Sequence, residues 1–273
     1  MASRPALRQV GYHEDVLDSV EVPAAVVCAR CGKPDCPGCE SLDETTLPSG
    51  IISIVPWERP GQSAWVKLWL TARATTRSAP QFFQSLPPGD HAPAFLFAVV
   101  AELCAVVSWA LLLGFLLVLP APDVALRWLA DPHGQMILMR VFLVGTLGFT
   151  AVLVVGHAVY GTALDAGARR AGARSHASQA LRYGLYAAGW DLLTSPLGFI
   201  VALVGEGPRA AAGLVTVSMG LPGRAATAFL RGVYRLEDPG LTRARNHGTA
   251  VAVGLSVVGA VAVLVLLVAA VVL

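Results

Sequence analysis

The chain has 273 residues, of which 55% are hydrophobic and 14% are charged. A soluble domain carries about 25% charged residues, so this composition excludes an ordinary water-soluble domain and indicates a membrane protein. The net charge is only +2, so it gives no evidence for nucleic acid as a partner, and we expect none. Frequent Ala, Val, Leu, Gly and Arg with few lysines are typical of a GC-rich bacterial genome.

The first segment, residues 1–50, is polar and mildly acidic, with four basic and eight acidic side chains. Its start contains no apolar run of the kind found in a secretory signal peptide. We therefore expect this head to lie in the cytosol. Its main feature is the stretch "CARCGKPDCPGCE" at 28–40, which places four cysteines close together.

The four cysteines follow the spacing C-x2-C-x4-C-x2-C, and they are Cys28, Cys31, Cys36 and Cys39. Four thiolates in tetrahedral geometry are typical of structural Zn²⁺, and sulfur in every position leaves none for a catalytic water. The segment has almost no apolar core, so bound metal would supply its folding free energy. An iron–sulfur cluster and disulfides are the alternatives, and the cytosol disfavours disulfides. We predict a zinc knuckle of the zinc-ribbon kind (28–39).

Residues 51–92 form a juxtamembrane segment with one predicted amphipathic helix. Between Gly61 and Ala79, apolar side chains recur at three- and four-residue spacing, and Trp65 and Trp69 lie on that stripe. Tryptophans and basic residues beside a membrane span are typical of a helix in the headgroup plane. The alternative is an amphipathic helix packed on protein.

Five apolar stretches follow, and each is predicted to cross the bilayer, for which about 20 helical residues suffice. The predicted crossings are 93–119, 136–160, 180–204, 209–223 and 249–273. The third contains Asp191 and Pro196, and Pro196 predicts a kink there. The fourth is short because Arg224 ends it. The predicted fold class is an all-α polytopic membrane protein, a five-helix transmembrane bundle over 93–273 with a small N-terminal zinc-binding segment.

The placement of basic residues predicts the orientation. Four basic residues precede the first crossing, four lie near the start of the third and five follow the fourth, whereas Arg127, Arg140 and Arg209 lie on the opposite side. The positive-inside rule then places the N-terminus in the cytosol and the C-terminus outside, across a bacterial inner membrane. If 180–230 did not cross, both of its flanking basic clusters would still lie inside.

Two carboxylates lie within the predicted crossings, Glu102 in the first and Asp191 in the third. Ionisable groups in lipid are costly and usually face a bundle interior or a cavity. Either the two form part of a proton or ion pathway, or each is satisfied separately by local hydrogen bonds or protonation. His157 and Arg140, near opposite ends of the second crossing, are predicted to be interfacial.

No catalytic motif is evident in the sequence. It contains no G-x-S-x-G, H-E-x-x-H, Walker or G-x-G-x-x-G pattern, so we predict a protein that is not an enzyme. Glycines in the second and third crossings favour close helix approach and a compact bundle.

The stretch "VPWERPGQSAWVKLWLTARATTRSAPQFFQSLPPGDHAPAFLFAVV" at 55–100 resembles the entry of bacterial Yip1-domain proteins. The positions that match are Pro56, Trp57, Glu58, Thr71 or Thr75, Pro80, Phe82, Phe83 and Pro93. The stretch "SQALRYGLYAAGWDLLTSPLGFIVALV" resembles the third span of that family. It matches at Tyr186, Ala187, Pro196, Leu197 and Gly198. The resemblance covers 51–273 and implies five spans with the N-terminus inside.

Eukaryotic members of that family act in vesicle trafficking and contact small GTPases and one another, a pathway that bacteria lack. The resemblance therefore implies a non-enzymatic role in membrane organisation, or an adaptor role in which the zinc knuckle contacts a protein partner. The partners we expect are the lipid bilayer and another protein, either a second copy or a related membrane protein. The alternative function is a small transporter or lipid-handling protein that uses Glu102 and Asp191, and a zinc-dependent membrane enzyme is the third.

Overall fold

The computed structural model describes residues 55–272, and every regular element in that range is helical. The helices are α1 Ala64–Arg77, α2 Ala79–Gln84, α3 Ala92–Val118, α4 Pro122–Ala130, α5 Pro132–Arg170, α6 Ala177–Thr194, α7 Pro196–Glu206, α8 Pro208–Ser218, α9 Leu221–Tyr234 and α10 Gly240–Val272. A 3₁₀ turn at Pro56–Glu58 precedes them. The all-α prediction is confirmed for these residues. The head and its cysteines (Cys28, Cys31, Cys36, Cys39) lie outside the described range.

Three of these helices are long and apolar enough to cross a membrane: α3, α5 and α10. The shortest, α3, has 27 residues and is about 40 Å long, which exceeds the roughly 30 Å of hydrocarbon in a bilayer. Large apolar side chains such as Leu117, Leu147 and Val258 are exposed along all three. Such broad apolar surfaces need lipid or a partner rather than water, so the protein is membrane-embedded.

The third predicted crossing is broken. α6 and α7 meet at a bend of 66°, where Pro196 begins α7 and the side chain of Ser195 accepts a hydrogen bond from the Gly198 amide. The kink predicted at Pro196 is therefore confirmed. The described residues hold three helices of crossing length, or four if α6 and α7 together form one bent span.

The fourth predicted crossing, 209–223, is not one helix in the structure. α8 has 11 residues and is about 16 Å long, too short for the hydrocarbon. Gly220, with a φ of +69°, separates it from α9, and this left-handed backbone favours glycine. At the other end of α8, the turn after α7 lies beside α1, because Glu206 forms ion pairs with Arg73 and Arg77 of that helix.

α6 forms the centre of the core, and residues 182–190 are buried without interruption. Helices α1, α3 and α5 pack around it. The aromatic pair at the end of α2 also contacts it: the rings of Phe83 and Tyr183 are 4.6 Å apart, and those of Phe82 and Tyr186 are 6.0 Å apart. The two phenylalanines that carry the family resemblance are thus core residues.

A buried ion pair fixes the segment before α1 to α6. The guanidinium of Arg182, which is 1% exposed, donates to Glu58 Oε1 and, at 2.7 Å, to the carbonyl oxygen of Pro87. The Tyr186 hydroxyl donates to the same Glu58 oxygen at 2.6 Å. Because a buried charge is stable only when it is paired and hydrogen-bonded, this contact determines where the Pro-Trp-Glu turn docks.

We predict that Arg182→Gln lowers the free energy of unfolding by about 3–5 kcal/mol, because it removes the buried cation that pairs with Glu58 and donates to the Pro87 carbonyl oxygen. Arg73→Gln removes an arginine whose side chain is 47% exposed in its ion pair with Glu206, and we expect it to cost about 1 kcal/mol or less. Thermal and denaturant unfolding of the purified chain in detergent would measure both. Equal stability of the two variants would contradict this role of Arg182.

Candidate functional site

Three ionisable side chains meet between α6 and two helices of crossing length, α3 and α5. His157 of α5 has its Nε2 atom 2.9 Å from Asp191 Oδ2 of α6 and 2.9 Å from Glu102 Oε1 of α3. Within residues 55–271, this is the one group of three His, Cys, Asp or Glu side chains whose ligand atoms all lie within 4.8 Å of one another.

Glycines bring α5 and α6 close enough for this meeting. A Cβ atom at Gly184 would lie 2.0 Å from the carbonyl oxygen of His157, and one at Gly161 would lie 2.0 Å from that of Ala180. No larger residue fits at either position, so the two backbones are in direct contact. Asp191 follows Gly184 by seven residues, about two helical turns, and so lies on the same face of α6.

The Glu102 side chain is fully buried, and its Oε1 atom, 2.9 Å from His157 Nε2, does not meet the angular geometry of a hydrogen bond. The His157 ring nitrogen satisfies the hydrogen-bond geometry toward Asp191 instead. A nitrogen of a histidine ring carries at most one proton, so His157 Nε2 cannot satisfy both carboxylates. Since one imidazolium offsets only one of the two negative charges, and an excess buried charge is strongly unfavourable, a proton or a cation is needed beside Glu102.

The net charge of the cluster indicates what it can bind. With both carboxylates ionised, the net charge of the three side chains is −2 if His157 is neutral and −1 if His157 is an imidazolium. Protonated Glu102 with imidazolium and ionised Asp191 gives zero, and so does a divalent cation with neutral His157. A low-dielectric site favours the neutral combinations.

The donor set of the cluster suits a transition metal. One imidazole nitrogen and two carboxylate oxygens are ligands that Zn²⁺, Mn²⁺ and Fe²⁺ accept. Donors of a tetrahedral zinc site lie roughly 3.3 Å apart, which follows from metal–ligand distances of about 2.0–2.1 Å. The spacing of 2.9 Å from His157 Nε2 to each carboxylate is close to that value. The Asp191 side chain is 43% exposed and forms the open side of the site.

The structure brings the two predicted carboxylates, Glu102 and Asp191, together through a residue that sequence analysis placed elsewhere. His157 was expected at the membrane interface, yet α5 continues for thirteen residues beyond it, to Arg170. Its ring packs between the two carboxylates and lies 6.4 Å from the Trp190 ring.

Two further polar residues escaped the sequence analysis. Thr146 and Thr150 are buried in α5, and neither hydroxyl has a hydrogen-bond partner in the described structure. They precede His157 by eleven and seven residues, which places all three on one face of the helix. From Thr146 to His157 the helix rises about 16 Å. The sequence signal for this polar face was the spacing of four and seven residues that separates Thr146, Thr150 and His157 within an apolar segment.

The two predicted interfacial tryptophans have different environments. Trp65 is 52% exposed, whereas Trp69 packs against a small apolar cluster that includes Leu193 and Leu214. Their rings are in edge contact at 5.5 Å. Buried Leu68 and the contact between α1 and α6 show that one face of α1 packs on protein. A position in the headgroup plane stays a prediction for its other face.

Comparisons with known proteins identify no family model, no curated protein and no solved structure that matches this chain. The resemblance to Yip1-domain proteins therefore stays a prediction. Function must be argued from the geometry of the site.

We predict that Gly184→Ala lowers the free energy of unfolding by about 1–3 kcal/mol, because its methyl group would overlap the His157 carbonyl and separate α5 from α6. Gly156→Ala is the matched control, since a Cβ at that position meets nothing within 4 Å. We expect the control to be neutral or stabilising by up to about 1 kcal/mol. Thermal unfolding in detergent would compare them, and equal stabilities would argue against the tight contact.

Proposed function

We propose that this chain is a non-enzymatic integral membrane protein that binds a divalent transition-metal cation at Glu102, His157 and Asp191 and exchanges it for protons. The observation that supports this proposal is the cluster itself: the fully buried Glu102 carboxylate and Asp191 both lie 2.9 Å from the single His157 Nε2 atom. Intramembrane carboxylates of this kind mark ion and proton pathways.

The exchange is balanced in charge and protons. In the protonated state, Glu102 holds one proton, His157 is an imidazolium and Asp191 is ionised. Binding of one divalent cation displaces the Glu102 proton and one imidazolium proton, so two protons leave as two positive charges enter. Both states are neutral at the site, and metal affinity falls as pH falls because protons compete for the same ligand atoms.

Access to the site is supported from two directions. The partly exposed Asp191 side chain offers an entrance at the α6 side. Thr146 and Thr150 lie on the same face of α5 as His157, in the N-terminal half of that helix, and extend its polar surface away from the site. Buried hydroxyl groups without partners are rare in apolar interiors, and these two can coordinate or hydrogen-bond a passing cation or water. The geometry thus favours the transporter alternative over a purely structural role.

We also infer that α3, α5 and α10 are the crossings, in a bacterial inner membrane with the N-terminus in the cytosol. The ion pairs of Glu206 with Arg73 and Arg77 support this inference, because they hold the turn after α7 on the side of α1. Three crossings leave Arg127 and Arg140 on the outer side and the other basic residues of the membrane body inside, in agreement with the positive-inside rule.

The adaptor role of a Yip1-like protein is the second proposal. Its support is that residues carrying the resemblance contact one another: the Tyr186 hydroxyl donates to Glu58, and its ring contacts Phe82. The partner-binding element of that proposal is the zinc knuckle (28–39), which lies outside the described residues.

We predict that the purified full-length chain binds Zn²⁺ or Mn²⁺ at the membrane site and releases about two protons per ion. Glu102→Gln and Asp191→Asn should each weaken this binding by tenfold or more, because each removes one of three ligands. Glu206→Gln is the matched control, since Glu206 pairs with arginines outside the site. Calorimetry in buffers of different ionisation enthalpy would measure affinity and proton release together.

In proteoliposomes, metal uptake should follow an imposed pH gradient and disappear in the Glu102→Gln variant. Metal binding that is unchanged by both carboxylate substitutions would contradict the proposed site. Binding that depends on them without any uptake would restrict the function to metal binding.

We predict a second, independent zinc ion at the cysteine segment. Cys28→Ser with Cys36→Ser should remove one equivalent of Zn²⁺ per chain, because two of four thiolate ligands are lost. The equivalent that depends on Glu102 should persist in that variant. Elemental analysis of the purified chain would count both ions, and an unchanged zinc content in the cysteine variant would refute the knuckle.

A further inference from the structure

A basic cavity of about 610 Å³ lies among α2, α9 and α10, away from the cation site. Three arginines line it, Arg224 and Arg231 of α9 and Arg245 of α10, together with Gln84 and Thr227. No Asp or Glu is among its lining residues. The cavity therefore concentrates positive charge, and the side chains in its wall can donate hydrogen bonds.

The helices that form the cavity are held together at close range. A Cβ atom at Gly232 of α9 would lie 2.3 Å from the carbonyl oxygen of Gln84, so α9 packs directly against the end of α2. Arg245 Nη1 lies 3.4 Å from Thr227 Oγ1 and links α10 to α9. Arg224 and Arg231 are seven residues apart and so lie on the same face of α9.

Among the described residues, no carboxylate neutralises the positive charge of this cavity. Within residues 55–271, none of the three arginines forms an ion pair with a carboxylate. Arg224 instead donates to the carbonyl oxygens of Met219 and Val217, at the end of α8. The N-terminus of α9, which begins at Leu221 beside the cavity, adds the partial positive charge of its free amides. An anion would complete this arrangement.

The cavity lies where α10 passes from a polar to an apolar sequence. Arg243, Arg245 and His247 are in its first turns, and no charged residue follows Thr249. Val253 and Val257 are exposed and continue from Arg245 at multiples of four residues, so they form a row along the helix. An anionic headgroup at Arg245 would thus have an apolar surface next to it for its acyl chain.

We propose that this cavity binds the phosphate of an anionic phospholipid, with Arg231 and Arg245 as its main ligands. Basic pockets between helices at the membrane boundary recognise such headgroups through charge and hydrogen bonds. The adjoining apolar row on α10 favours a lipid over free phosphate. This inference does not depend on the cation site.

The test is binding of phosphatidylglycerol to the full-length chain in detergent, measured by native mass spectrometry against phosphatidylcholine. We expect a preference for phosphatidylglycerol that weakens at high salt. Arg231→Gln should lower its affinity about fivefold, and Arg231→Gln with Arg245→Gln about twentyfold. Arg243→Gln is the matched control, because it removes an exposed arginine of α10 that does not line the cavity; it should change affinity less than twofold.

Three results would overturn the proposal. Equal binding of the two lipids would remove the role of charge, and an equal loss in Arg243→Gln would make the effect nonspecific. Inorganic phosphate that displaces phosphatidylglycerol at equal concentration would assign the cavity to a free anion. Thermal unfolding of each variant would verify the fold, and Arg231 is exposed, so its substitution leaves the packing of α9 intact.

Discussion

The lipid around the long helices constrains every ionisable group buried among them. In a bilayer, a charged side chain must find its partner inside the protein or become neutral. Arg182 meets this constraint, because its guanidinium donates to Glu58 and to the Pro87 carbonyl oxygen and lies over the Tyr186 ring. Glu102 meets it only in part, because the one nitrogen within reach of its buried oxygen, His157 Nε2, also hydrogen-bonds Asp191. The first arrangement stabilises the fold, and the second indicates a site that either a proton or a cation would complete.

Charge is distributed over this protein in three chemically different ways. The contact of Glu58 with Arg182 is paired and structural, the group at His157 has an excess of negative charge, and the cavity at Arg231 and Arg245 has an excess of positive charge. The negative group joins α6 to two helices of crossing length, α3 and α5, and the positive cavity lies where α10 becomes apolar. Such a separation suits the two proposed ligands: a metal cation bound within the bilayer and an anionic lipid bound at the membrane boundary.

The sequence predicted the existence of the long helices, and the bounds of α3 closely, but it predicted the short helices poorly. α3 begins and ends within one residue of the predicted crossing 93–119, because length and apolarity are local properties. α7 and α8 together cover a region predicted as parts of two crossings. Hydropathy does not distinguish a full crossing from a hairpin of two short helices. The ion pairs of Glu206 with α1, which place that hairpin, join residues about 130 positions apart.

The sequence by itself determined the membrane class, the long apolar helices, the break at Pro196 and the identity of two intramembrane carboxylates, since each follows from composition or from neighbouring residues. Only the tertiary structure decided that Glu102 and Asp191 share one histidine. Their meeting depends on the rotation of three helices and on the backbone contact at Gly161 and Gly184. Residues separated by 55 and 34 positions in the chain carry no local pattern that could specify such a contact.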